Sequence, residues 1–157
     1  MAFVMIAMIV ALSRDADSSP PPRAVVVVVA KGSKIKSLTR AELRRCFSGD
    51  ALVVHHARMI PFNSPPGSAE RIAFDRFVLG MSPDQVGRLW VDRKIRGQSP
   101  APRSLPSALH TTKIVAKFPS AISYVRVDHI TADVDVVAID GVLPTSSGYP
   151  ILIEEAR

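Results

Sequence analysis

NSPPGSAERIAFDRFVLG, residues 63–80, reads as a turn that empties into an amphipathic helix. Pro65, Pro66 and Gly67 set the turn, because proline fixes φ and glycine accepts the left-handed backbone that a tight reversal needs. Ser68 stands at the N-cap position, and Ala69, Ile72, Ala73 and Phe77 follow at helical spacing. Gly80 falls where a helix stops on a C′ residue. The first turn of a helix leaves N–H groups unpaired and carries the positive end of the dipole. Gly67 lets backbone approach a ligand, Ser64 and Ser68 add hydroxyls, and Arg71 adds a positive charge within one turn of the start. These are the parts of an oxyanion site at a helix start. They are equally the parts of an ordinary capped helix on a Pro-rich loop, and the stretch alone leaves both readings open.

Upstream, residues 24–30, AVVVVVA, form a continuous β-branched run between polar flanks. That pattern predicts a strand buried on both faces in the middle of an α/β sheet. Lys31, Gly32, Ser33 and Lys34 follow as a loop at its C-terminal end, the edge at which open α/β sheets hold ligands. Residues 38–49 predict a helix, with Thr39 and Glu42 as a capping box, Leu38 and Leu43 as a hydrophobic staple, and Gly49 as the stop. Cys46 shares the apolar face with Leu43 and Phe47, which predicts a buried structural thiol. Residues 59–62 predict a short strand leading into the turn. Just before it stand His55 and His56; as neighbours in a strand they would point to opposite faces, and no third ligand is signalled, so no metal site is expected.

Downstream, Ser82 and Gln85 form a second capping box with Pro83 at the first helical position. Val86, Leu89 and Trp90 are expected on the buried face of that helix, and Arg88, Asp92, Arg93 and Lys94 mostly outward. Residues 97–107 read as a loop. A further helix over residues 108–118 has Leu109, Ile114, Val115 and Phe118 as its apolar positions. Short strands follow over residues 121–125 and 134–139, and residues 151–153 suggest a last edge strand. The succession predicts one α/β domain, a central sheet flanked by helices.

Composition narrows the function. The chain has 157 residues, net charge +6 and pI near 10, a balance that favours anionic partners. The charges are scattered, with Arg40, Arg44 and Arg45 on one helix and Arg88, Arg93, Lys94 and Arg96 on another. No basic arm, finger or RNA-binding signature is present, so no nucleic-acid partner is expected. Cys46 is the single cysteine, which excludes an internal disulfide and a cysteine-based metal site. The four histidines, His55, His56, His110 and His129, are dispersed, and no Ser or Cys lies in a nucleophile motif, so neither an enzyme nor a cofactor is expected.

The N-terminus carries a separate signal. MAFVMIAMIVAL, residues 1–12, would extend only about 18 Å as a helix, against roughly 30 Å of bilayer core. It is too short to cross but suits the apolar region of a signal peptide, with small residues around Ala11 and Ser13. The first charge, Arg14, comes after the run instead of before it, which leaves an uncleaved anchor or a buried N-terminal element as alternatives. Residues 14–23, RDADSSPPPR, read as a linker. The expected division is leader and linker over residues 1–23 and a domain over residues 24–157, in a periplasmic or secreted protein.

Five stretches, taken in order, carry a resemblance: VVVVVAKGS (residues 25–33), SLTRAELRRCFSG (37–49), PFNSPPGSAERIAFDRFVLG (61–80), FPSAISYV (118–125) and DGVLPTSSGYPI (140–151). Together the chain resembles the phosphate-type periplasmic solute-binding proteins of ABC transporters, within the type 2 periplasmic-binding fold. The resemblance implies non-enzymatic capture of phosphate or a similar oxyanion in service of a membrane transporter. Ser64, Gly67 and Ser68 would donate to the anion, Arg71 would add charge, and Lys31, Gly32 and Ser33 would close the other side. Four departures stand out. Phe62 falls where the family's anion loop has Arg, Pro66 replaces its first Ser, and Ser123 replaces the Gly of its Ile-Gly-Tyr strand, while Gly67 and Ser68 match its Gly and Thr. A full member is also much longer, so a short, half-length version is implied. The substitutions motivate an alternative, an envelope protein-interaction domain that keeps the fold without its ligand site and binds a protein or anionic lipid through its basic surface.

Overall fold

Five consecutive valines open β1 (Val25–Ala30), and each of them is 0% exposed. Because alternate side chains of a strand point to opposite faces, that burial requires cover on both sides of the sheet. The structure, a computed structural model, describes residues 21–154. The expected signal peptide or anchor over residues 1–12 and most of the linker lie outside the described residues.

The remaining elements are β2 (Ser37–Leu38), α1 (Arg40–Phe47), β3 (Val53–Val54), β4 (Ala57–Arg58), β5 (Ile60–Asn63), α2 (Ala69–Val78), α3 (Pro83–Ile95), β6 (Arg103–Ser104), α4 (Ala108–Lys117), β7 (Ala121–Arg126) and β8 (Val134–Ile139). Six strands form the central sheet in the order β2-β8-β1-β7-β5-β6. β1 is antiparallel to both of its neighbours, β7 and β8, whereas β2 with β8, β5 with β7, and β6 with β5 are parallel. The sheet is therefore mixed, and α1, α2 and α4 pack against it. This is the expected α/β architecture, a central sheet flanked by helices.

Local signals set the helix ends. Thr39 caps α1 and Ser82 caps α3, each closing a full capping box with Glu42 or Gln85. Ser68 caps α2 by accepting the Arg71 N–H, and Gly80 follows the C-cap at φ +68. Cys46 is buried on the inner face of α1, and desolvation pushes its thiol up to about 12, as a structural thiol should be.

Three expectations are corrected. His55 and His56 are not strand residues: they form the tip of the β3–β4 hairpin with φ of 48° and 65°, the two positive values that a type I′ turn requires. Among the described residues no group of three His, Cys, Asp or Glu could hold a metal. On α3 only Val86 is buried; Leu89 and Trp90 are half-buried, and Val91 and Ile95 are exposed, because this helix packs on α2 and not on the sheet. On α4 the inner face is Thr111, Thr112 and Val115, while Leu109 and Phe118 are exposed. Threonine can take those places because its hydroxyl bonds back within the helix, Thr111 Oγ1 to the Ser107 carbonyl and Thr112 Oγ1 to that of Leu109, and only the methyl meets the core.

The tail is not a regular strand. Leu152 makes an isolated bridge with Ala24, Val25 N–H donates to the Ile151 carbonyl, and the Tyr149 hydroxyl donates to the Val25 carbonyl at 3.0 Å. The tail thereby pins the first residue of the central strand. Among the described residues no helix is long and apolar enough to cross a membrane.

Candidate functional site

The turn before α2 takes the shape its residues dictate. Ser68 N–H donates to the Pro65 carbonyl at 3.2 Å, with Pro66 and Gly67 as the central residues. Gly67 has φ +79, the value a type II turn needs at its second central position. A Cβ built there meets nothing within 4 Å, so the glycine is required by backbone conformation and not by space. Ser68 Oγ accepts the Arg71 N–H at 3.3 Å, and the Ser68 carbonyl accepts the Ile72 N–H. The N–H groups of Gly67, Ala69 and Glu70 have no partner among the described residues, and Gly67 and Ala69 are exposed. The helix start therefore has three backbone N–H groups without a partner among the described residues.

Arg71, expected to add charge to the anion site, is already paired within the chain. Its Nε donates to Asp75 Oδ2 at 2.5 Å, one helical turn on, and Nη1 donates to the Ser64 carbonyl at 3.3 Å. The two side chains are 11% and 6% exposed, so this is a nearly buried ion pair. Asp75 is held above the ordinary carboxylate range by burial, with the Arg71 charge and hydrogen bond working in the opposite direction. Arg71 keeps Nη2 unused among the described partners.

The pair is anchored from below. Tyr124 of β7 donates its hydroxyl to Asn63 Oδ1 at 3.2 Å and accepts the Ser64 N–H. Its ring stacks on Phe74 of α2 with centroids 3.8 Å apart, and Phe47 of α1 packs edge-on to Phe74. Burial raises the Tyr124 phenol well above its ordinary value, so it remains a neutral donor at any physiological pH. Ser64 is thus fixed through its backbone. Ser123, where the resemblance implied a glycine, donates its hydroxyl to the Phe62 carbonyl at 2.8 Å, tying β7 to the strand that ends at the turn.

Beside the helix start lies a cleft of about 270 Å³. Gly67, Arg71 and Asp75 form one wall, Val86, Gly87 and Trp90 of α3 another, and Pro102 and Ser104 close it. Asp75, Tyr124 and Trp90 were not singled out from sequence as site residues. Only Asp75 had a local signal, an acid four residues after Arg71 on a helix.

Gly32 and Ser33 do not join this site. β1 runs antiparallel to β7 and β5 runs parallel to it, so the C-terminal end of β1 lies at the start of β5: Val29 faces Ile122, and Ile122 faces Pro61. The Lys31–Ser33 loop is therefore at one end of the sheet and the Ser64–Ser68 turn at the other. The loop is also occupied from within. Gly32 N–H donates to Asp135 Oδ2 at 3.1 Å, and Lys31 and Lys36 both pair with the same carboxylate. Closure of an anion between Gly67 and Gly32, as the resemblance implied, is excluded by this topology.

No protein-family model matches the sequence, and no curated protein matches it. Solved structures do match. An ABC-type phosphate transport receptor from Vibrio cholerae superposes with a TM-score of 0.62 at 14% identity, covering 77% of this chain and 48% of that one. A protein from Clostridium perfringens, assigned as a phosphate ABC transporter substrate-binding protein and solved with bound phosphate, gives 0.61 at 17%, covering 77% and 46%. PstS from Borrelia burgdorferi gives 0.59 at 14%, covering 82% and 53%. The fold is thus the periplasmic-binding-protein-like α/β fold of phosphate receptors. The chain spans about half the length of the structures it matches.

Proposed function

We propose that this chain is a non-enzymatic, exported solute-binding-like domain that takes phosphate or a similar small oxyanion at the start of α2 and serves an ABC transport system. The observation that supports this most is the exposed helix start, where the N–H groups of Gly67, Ala69 and Glu70 are unpartnered, on a fold shared with phosphate receptors. The anion would sit on those backbone donors with the Ser68 and Ser64 hydroxyls nearby, and Arg71 would contribute Nη2 without leaving Asp75. Because the guanidinium is already paired and the site is open on one side, capture is weak: the expected Kd is millimolar to high micromolar, roughly −4 to −6 kcal/mol.

Calorimetric titration with phosphate and with sulfate at low salt tests this. A saturable signal that disappears in Gly67→Pro, which removes one donor and forbids the required φ, supports the site. A flat titration of folded protein overturns it and turns attention to the envelope-interaction alternative.

A further inference from the structure

We propose that a second binding site, separate from the α2 start, lies between the β1–β2 loop, the β3–β4 hairpin and the end of α4, and that it takes a monocarboxylate with an apolar body, such as a medium-chain fatty acid. A cavity of about 440 Å³ opens there, within the roughly 300–1,000 Å³ of small-molecule sites. Its lining is two-sided. Val54 and Ala57 of the hairpin and Ala116 and Pro119 at the end of α4 present carbon to it, and all four keep some exposure. Lys34 and His55, both exposed, stand at its rim, and no acid among the described residues lines it. Lys31 also lines the cavity but is already paired with Asp135, and the Gly32 N–H is held by the same carboxylate. Lys34 and His55 have no hydrogen-bond or ion-pair partner among the described residues. One uncommitted lysine suits a single negative charge, and the carbon wall suits a ligand that carries more than the charged group.

The hairpin supplies an independent observation. A two-residue turn of this kind puts both central residues in the left-handed region, where asparagine and glycine sit at little cost. Here both are histidines, with φ of 48° and 65°. Both are exposed, and neither ring has a hydrogen-bond partner among the described residues, so neither packing nor internal bonding selects them. A turn that keeps a costlier pair of residues than its geometry asks for, one of them lining a cavity, points to a ligand as the reason. His55 is the one of the two that lines the cavity. Its imidazole offers an N–H donor beside an apolar ring face, and Lys34 offers the charge, which together are donors for the two oxygens of one carboxylate.

The test titrates the full chain with octanoate, octanol and acetate at constant ionic strength, followed by calorimetry and by the imidazole proton signals in NMR. Octanoate is expected to bind about tenfold more tightly than acetate, which lacks the apolar body, and about fivefold more tightly than octanol, which lacks the charge. The His55 ring signals should move on binding, and those of His110 and His129, which do not line the cavity, should stay. Lys34→Met should bring octanoate down to the affinity of octanol. His55→Asn combined with His56→Gly, the pair this turn prefers, should raise the urea midpoint while weakening octanoate about fivefold. An octanoate affinity no higher than that of either control probe would overturn the proposal. So would unmoved His55 signals, or octanoate binding that is unchanged in either variant. The oxyanion reading of the α2 start is independent of these outcomes, since it is tested with phosphate at the other end of the sheet.

Discussion

Gly32-Ser33 and Gly67-Ser68 are two glycine–serine steps with nearly the same backbone, φ +74 at one glycine and +79 at the other. In each, the serine hydroxyl accepts a backbone N–H shortly downstream, from Ile35 at 3.2 Å and from Arg71 at 3.3 Å. Each has a basic residue beside it. They differ in what the fold brings to them. The Gly32 N–H already holds an oxyanion, the chain's own Asp135 carboxylate, clamped by Lys31 and Lys36. The Gly67 N–H holds none, and the acid near it, Asp75, is turned to Arg71 instead. The same local sequence thus makes a self-filled cradle at one end of the sheet and an unfilled one at the other. A carboxylate on the neighbouring strand β8 makes the difference.

The comparison can be broken hardest at the buried pair. Arg71→Met strands Asp75 without a countercharge and should cost about 3–5 kcal/mol in urea unfolding, while Arg71→Met with Asp75→Leu should recover most of it. Lys31→Met, at the exposed cradle, should leave the urea midpoint where it was. If the two single variants behave alike, the contrast between the loops is wrong.

Next come the glycines. Gly32→Ala and Gly67→Ala force alanine into the left-handed region with no steric clash at either site, so each should cost about 1–2 kcal/mol. A much larger loss at one of them would show that its glycine has a packing role that the open space denies.

A smaller effect lies in the pH dependence, where the two acids have opposite signs. Burial raises Asp75 above its ordinary value of 3.8, so the native state binds its proton more tightly than the unfolded chain does. Its contribution to stability is fullest below 3.8 and declines as pH rises through the raised value. Asp135 is lowered, chiefly by the Lys31 hydrogen bond, so its contribution is present above 3.8 and is lost as pH falls through the lowered value. Urea midpoints of the parent chain measured from acid to neutral pH, minus those of Asp75→Asn and of Asp135→Asn, should slope in opposite directions. Two slopes of the same sign would overturn the assignment of burial to one acid and pairing to the other. Smallest of all, Asp135→Asn at neutral pH and physiological salt should lower the urea midpoint only slightly, since the two lysines that hold the carboxylate are exposed.

Much of the fold was legible in short stretches. The capping boxes at Thr39 and Ser82 are reciprocal bonds between residues three apart, and they formed where the spacing put them. The valine run announced a central strand because no other placement hides five β-branched side chains on both faces. Hydrophobicity misled where a helix had an unusual neighbour. Thr111 and Thr112 are inside and Leu109 outside, because back-bonded hydroxyls make threonine compatible with the close approach of α4 to the sheet. Val91 and Ile95 are exposed because α3 rests on another helix and has only one face to cover. At the site, the turn geometry at Gly67 and the cap at Ser68 are readable, but an Arg four residues before an Asp on a helix does not say whether it pairs with that acid or with a ligand.

The sequence by itself determined the long helices, their caps and the left-handed turns at Gly67 and Gly80, because those depend on bonds between residues a few places apart. Only the tertiary structure decided which elements share a site. The direction of β1 against β7 and β5 put Gly32 and Gly67 at opposite ends of one sheet, and the same packing set Trp90 beside the α2 start. Strand order and helix placement arise from contacts between residues far apart in the chain, and no local spacing records them.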